Sequence, residues 1–268
     1  MSQSILDLIP PPADARLAYG DDPSQFGDLR LPPGTGPHPV VIVIHGGYWR
    51  SAYSLDHIGT LCAALTHAGV ATWSLEYRRL GNPGGGWPGT LQDVAAGADY
   101  LRTIAPKYHL DLTHVVAVGH SAGGQLALWL AGRHRIPAGD TLYSPNPLPL
   151  HGVVSLAGVA DLRQGYDLHL SNDVVYQLLG GNPGEVPTRY EDASPRALLP
   201  LGVPQRLLHG TADDIVPIAI SRDYSAAARA AGDDAEFIPL DATGHFELID
   251  PRTPQWATVQ ATVLMLVK

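Results

Sequence analysis

A single cysteine, Cys62, is all the thiol this chain has, so no internal disulfide can form. Its apolar, helix-spaced surroundings make it a core residue. Basic residues are also scarce. Lys and Arg total 17 against 26 Asp and Glu, the net charge is −9, and no Lys/Arg run stands out. That argues against nucleic acid or an anionic membrane as the main partner. No apolar stretch reaches the roughly 18–20 residues a membrane helix needs. The N-terminus lacks the basic and apolar regions of a signal peptide, so the expected compartment is the cytoplasm. Metal-binding patterns are missing too: no H-E-x-x-H, no cysteine cluster, no histidine pair at ligand spacing. No G-x-G-x-x-G follows the first strand. Neither a metal nor another cofactor is expected. There is no internal repeat and no low-complexity tract.

What is present is an alternation of strand and helix patterns over 268 residues, a length suited to one α/β domain spanning 1–268. With 45 % hydrophobic and 16 % charged residues, the chain is globular. Residues 1–14 form a Pro-rich leader expected to lie irregularly on the surface. Arg16–Tyr19 and Phe26–Leu31 read as an edge hairpin. Val40-Val41-Ile42-Val43-Ile44 is an uninterrupted β-branched run, the mark of a strand buried on both faces. Further strands are expected at Val70–Leu75, Val115–Val118, Gly152–Leu156, Gln205–Leu208 and Ala235–Leu240. Helices are expected at Leu55–Ala68, from Thr90 (as its cap) to Ile104, and at Gln125–Ala131, Ile218–Ala231 and Thr253–Val267. The pattern predicts a mostly parallel central sheet with helices on both faces. Residues 158–203 carry no clear strand and one short helical pattern, Asp173–Leu179, and are read as a cap or lid insertion.

Four loops after strands carry chemistry, and in such sheets these loops converge on one edge. Gly119-His120-Ser121-Ala122-Gly123 fits G-x-S-x-G between a strand and a helix, the context of a nucleophile elbow, with Ser121 as nucleophile. A serine hydroxyl needs a base to take its proton. His245, in Thr243-Gly244-His245-Phe246-Glu247, is the natural one. The acid that orients it comes from His209-Gly210-Thr211-Ala212-Asp213-Asp214, where Asp213 is favoured over its neighbour Asp214. The order Ser121, Asp213, His245 is that of α/β-hydrolases. His45-Gly46-Gly47-Tyr48-Trp49 supplies the oxyanion hole. The donors are expected at Gly47, Tyr48 and Ala122, with Gly46 shaping the loop and His45 holding it. Tyr48, Trp49, Trp87 and His120 are taken as pocket residues, and Arg50 and Arg78 as anchors for a polar head group.

These stretches resemble an α/β-hydrolase of the kynurenine formamidase and carboxylesterase group over roughly residues 16–266. His45-Gly46-Gly47-Tyr48-Trp49 resembles the arylformamidase oxyanion motif. Gly119-His120-Ser121-Ala122-Gly123-Gly124 is similar to that group and to feruloyl and acetyl esterases. Gly158-Val159-Ala160-Asp161-Leu162-Arg163 resembles the stretch after the sixth strand of formamidases. The acid loop, in contrast, is closer to peptidase-like and esterase-like hydrolases. The resemblance implies a serine hydrolase acting on a small-molecule ester or aryl formamide through an acyl-enzyme. The alternatives are a feruloyl- or acetyl-type esterase without formamidase activity, and a non-catalytic hydrolase-fold binding protein. A homodimer is compatible with the sequence; neither nucleic acid nor a membrane is an expected partner.

Overall fold

The β-branched run at Val40–Ile44 shows why the sheet is buried on both sides. Side chains alternate across a strand. Val40, Ile42 and Ile44 enter one hydrophobic core, and Val41 and Val43 enter the other. The computed structural model describes residues 2–268. Its eight strands are β1 (Ala15–Ala18), β2 (Phe26–Arg30), β3 (His38–Ile44), β4 (Ala71–Leu75), β5 (Leu110–His120), β6 (Gly152–Leu156), β7 (Gln205–Gly210) and β8 (Ala235–Leu240). They lie in the order β1-β2-β4-β3-β5-β6-β7-β8. β1 and β2 pair antiparallel, as do β2 and β4, and the remaining neighbours are parallel. This is the α/β-hydrolase architecture expected from the sequence.

The helices are α1 (Gly59–His67), α2 (Gly89–Asp99), α3 (Leu101–Tyr108), α4 (Ala122–Gly132), α5 (Leu162–Asp167), α6 (Leu170–Leu179), α7 (Pro187–Ala193), α8 (Ala219–Ala230) and α9 (Trp256–Val267). α1 and α9 cover one face through Leu61, Leu65, Val259 and Val263. α2, α3, α4 and α8 cover the other through Val94, Leu101, Leu126 and Ile220. Each fully buried aliphatic side chain contributes roughly 1.5–3 kcal/mol. Cys62 lies in the α1 core, fully buried.

Three expectations need correction. The leader is not wholly superficial: Ser2–Asp7 forms a 3-10 turn, and Ile5 is buried in the α1/α9 core. Met1 lies outside the described residues. Thr90 does not cap its helix. It sits inside the first turn of α2, where its hydroxyl donates to Arg78 O and accepts from Gly86 N–H. The 158–203 segment holds three helices, α5 to α7, rather than one. α5 was missed although Asp161 caps it through the N–H groups of Arg163 and Gln164. At the start of α6, Ser171, Asn172 and Asp173 stand at φ 43°, 56° and 57°, so regular helix begins only after them.

The crossing of β5 into α4 is the tightest point in the fold. A Cβ on Gly119 would lie 1.9 Å from Gly123 O, and one on Gly123 would lie 2.1 Å from Ile44 O. Between them Ser121 is forced to φ 56°, ψ −120°, a strain of roughly 1–3 kcal/mol. Gly69, which ends α1 at φ +101° in open space, is the contrasting case. Gly123→Ala should destabilise the protein by about 3 kcal/mol or more, because backbone cannot yield. Gly69→Ala should cost only about 1 kcal/mol of φ strain. Urea unfolding of the two variants checks this; equal losses would mean that the elbow can relax.

Candidate active site

β3, β5, β7 and β8 are parallel neighbours or near neighbours, so the loops after their C-termini meet at one edge. There they enclose a cavity of about 290 Å³. Gly47, Tyr48, Tyr53, His57, Ile215 and Phe246 line it, as does Ser171 of the 158–203 segment. Ser121, His120 and His245 line it together. The strained elbow holds the Ser121 side chain at this edge, almost wholly buried at 3 % exposure.

His245 Nδ1 donates to Asp213 Oδ2 at 2.7 Å, and both side chains are buried. This fixes the tautomer: Nδ1 carries the hydrogen, which leaves Nε2 as the basic nitrogen. The Asp213 carboxylate is held from two further sides. Its Oδ1 accepts the N–H groups of Ile215 and Val216, each at 2.9 Å, and its Oδ2 also lies 3.1 Å from His209 Nε2. Burial works against its charge, but the bonds from His209, His245 and Val216 outweigh it and draw its pKa far below the ordinary carboxylate value. Asp213 is therefore anionic whenever the protein is folded near neutrality. Asp214 points to solvent, so of the two adjacent acids only Asp213 meets the histidine.

The residues of the loop after β3 stand in unusual conformations, with Gly47, Tyr48 and Trp49 at φ 109°, 51° and 53°. Among the described residues, the Gly47 and Tyr48 amides donate to no protein acceptor. The Ala122 N–H opens α4, where a helix has no internal acceptor to offer. A Cβ on Gly46 would lie 2.9 Å from Ser121 Cβ, so this glycine lets the loop sit against the serine. His45 does hold the loop. Its Nδ1 lies 2.8 Å from Gly46 O, its Nε2 lies 3.0 Å from Glu76 Oε1, and its ring stacks on Tyr77.

Tyr48 and His120 line the cavity as expected, but Trp49 and Trp87 do not. Trp49 is fully buried in the core, where its indole N–H donates to Gln125 Oε1 at 3.0 Å. Trp87 packs on the core beneath Arg189, and its backbone N–H donates to Leu178 O. Arg78 is bound by Asp93, so it is not a free anchor, whereas, among the described residues, the Arg50 side chain makes a single bond, to the neutral carbonyl of Ser171. Sequence reasoning missed Tyr53, His57, Ser171, Ile215 and Phe246. Ile215 and Phe246 lie within two residues of Asp213 and His245, a proximity that would have found them. Among the described residues, no group of three or more His, Cys, Asp or Glu could hold a metal ion. None of their helices is long and apolar enough to cross a membrane.

Burial keeps the neighbouring imidazoles neutral. It pushes His57 down to about 3, aided by His45, and holds His120 well below its ordinary value, aided by His245. An unfolded histidine titrates near ~6.5, so below that pH the unfolded chain binds a proton that folded His57 refuses, and stability falls as pH drops from about 6.5 toward 3. Between pH 7.5 and 5.0 the parent should lose on the order of 2 kcal/mol more than His57→Gln. Urea unfolding at both pH values measures it. Parallel losses in the two proteins would mean that folded His57 takes up a proton as readily as the unfolded chain.

The chain spans 60 % or less of the length of the first curated relatives it matches. It is 29 % identical over 253 residues to esterase LipC of Mycobacterium tuberculosis, covering 88 % of this chain and 60 % of that one. It is 30 % identical over 147 residues to kynurenine formamidase of Meyerozyma guilliermondii, covering 54 % and 52 %. Among solved structures, a truncated carbohydrate esterase from gut microbiota superposes with a TM-score of 0.79 at 24 % identity, covering 96 % of this chain and 99 % of that one. The BD-FAE family profile matches residues 28–227, most of the chain and three of the four strand-end loops, stopping short of the one bearing His245. With that match and this sheet order, the chain belongs to the BD-FAE family of α/β-hydrolases.

Proposed function

We propose that the protein is a serine carboxylesterase for small esters. The observation that carries this reading is the 2.7 Å Asp213–His245 hydrogen bond at a cavity whose wall also includes Ser121 on its strained elbow. His245 Nε2 takes the Ser121 proton as Oγ attacks the ester carbonyl carbon. Asp213 holds the ring and stabilises the imidazolium that forms. The N–H groups of Gly47, Tyr48 and Ala122 receive the negative oxygen; losing one such donor typically costs ~3 kcal/mol of barrier. The imidazolium then protonates the departing alcohol. A water molecule, deprotonated by the same nitrogen, cleaves the acyl-enzyme and restores Ser121.

The cavity suits short acyl groups. At about 290 Å³ it lies at the small end of ligand pockets, and Tyr53, Ile215 and Phe246 give it apolar walls. An aryl formamide is the competing substrate, supported by the His45–Trp49 motif and by the similarity to a kynurenine formamidase. Of the two arginines considered as anchors, Arg78 is already paired with Asp93, which leaves Arg50, bonded to Ser171 O at the cavity, as the cation an amino-acid head group would have to use.

Steady-state turnover of p-nitrophenyl acetate, butyrate, octanoate and N-formyl-kynurenine compares the two readings directly. The esters should dominate, with kcat/KM falling beyond butyrate. A formamide value above every ester would replace the esterase reading with an arylformamidase. Ser121→Ala should lower kcat by about 10⁴-fold or more, and Asp213→Asn by about 10³–10⁴-fold. Turnover that survives Ser121→Ala would sink the mechanism.

A further inference from the structure

Among the buried histidines near the reacting groups, His209 touches Asp213 itself, and the mechanism gives it no task. His209 is the penultimate residue of β7, and its side chain is fully buried. Its Nε2 lies 2.9 Å from Val216 O and 3.1 Å from Asp213 Oδ2, and its Nδ1 lies 2.8 Å from Ser221 Oγ on α8. Both neighbours of Nε2 are acceptors. The hydrogen therefore sits on Nε2, and Nδ1 accepts from the Ser221 hydroxyl, which satisfies every partner with a neutral ring.

The Asp213 carboxylate then receives four donors. Two backbone N–H groups reach Oδ1, and two imidazoles share Oδ2, His245 at 2.7 Å and His209 at 3.1 Å. An ionised carboxylate offers about four acceptor sites, so the group is saturated and cannot rotate. The two imidazole bonds are unequal. His209 divides its proton between Val216 O and Asp213, and the longer bond is the weaker.

We propose that His209 is a positioning residue that fixes Asp213 and moderates the basicity of His245 by sharing Oδ2 with it. This rests on the acid–base reading of Asp213 and His245 given above. An oxygen that serves two N–H donors holds each less strongly than it would hold one. Removing His209 should therefore strengthen the pull of Asp213 on the His245 imidazolium while loosening the carboxylate's orientation. Other titratable groups surround the trio. His120 packs its ring 4.5 Å from that of His245, Tyr48 donates to Ile215 O, and His57 lines the same cavity. Glu247 lies against Gly244, and Asp214 faces solvent.

Two measurements on the full chain test the proposal. The first reads the parent protein: ring ¹⁵N shifts of the histidine-labelled chain, with His209 assigned by the loss of its signal in His209→Gln. A neutral Nε2–H tautomer is expected; a neutral Nδ1–H tautomer cannot donate to Asp213 and overturns the proposal. The second compares His209→Leu, which removes the donor, with His209→Gln, which keeps an N–H donor near the position of Nε2. In His209→Leu the acid limb of kcat/KM for p-nitrophenyl acetate should move up by about half a pH unit or more. Its kcat should fall roughly tenfold with KM within about twofold of the parent. His209→Gln should restore the limb. A His209→Leu limb that superimposes on the parent's, with the variant altered only in melting temperature, overturns the proposal. Ser121→Ala separates the two readings: activity surviving it would refute the esterase mechanism, while the His209 tautomer would still be measurable.

Discussion

The close passage of three backbones at the end of β5 is the constraint on which the rest of the molecule depends. Gly123 in the first turn of α4 lies against the carbonyl of Ile44 at the end of β3, with no room for a Cβ. Gly119 lies equally close to Gly123 O. Only this contact lets β5 turn straight into α4 and drives Ser121 into its left-handed conformation. The strain is sustained because both cores brace it. Strands β3 and β5 are packed on both faces, and α4 is buried along its whole length. The same contact sets the His45–Trp49 loop, which leaves β3 at Ile44, beside Ser121.

Around that point the electrostatics are sharply divided. One anion, Asp213, is stabilised by four donors, while His57 and His120 are kept neutral by burial. A neutral His120 matters because its ring packs against His245 and its Nε2 donates to the His245 backbone carbonyl at 3.0 Å. A charge there would oppose the imidazolium that the proposed mechanism forms on His245. The cavity therefore contains one strong field, from Asp213, directed along the His245 ring toward Ser121.

Much of this was legible from the chain alone. Strand identity followed from β-branched runs, sheet type from alternation, and the site from what stands after each strand. Ser121 and His245 could be picked by position, because a sheet's topology limits which loops can meet. Finer choices depend on backbone direction, which composition does not carry. Asp213 and Asp214 are chemically equal in sequence; the turn decides that one faces His245 and the other water. The aromatics failed for the same reason. Tyr48 and Trp49 are consecutive at positive φ, so one enters the cavity and the other plugs into the core against Gln125. Trp87 sits in a glycine-rich loop that suggested a pocket residue, yet the loop folds back on α6 and Arg189.

The hydroxyl of Tyr48 donates to Ile215 O at 2.8 Å, closing a contact between residues 167 apart in sequence. Behind it lies a contrast in assembly. Ser121 and the oxyanion loop come from strands formed in the first half of the chain, whereas Asp213 and His245 arrive with β7 and β8, the last strands on that edge. A fragment ending before β7 would therefore hold Ser121 with neither Asp213 nor His245 beside it. The cavity is complete only when β7 and β8 have docked on the sheet and the tyrosine bridge joins the two halves of the chain.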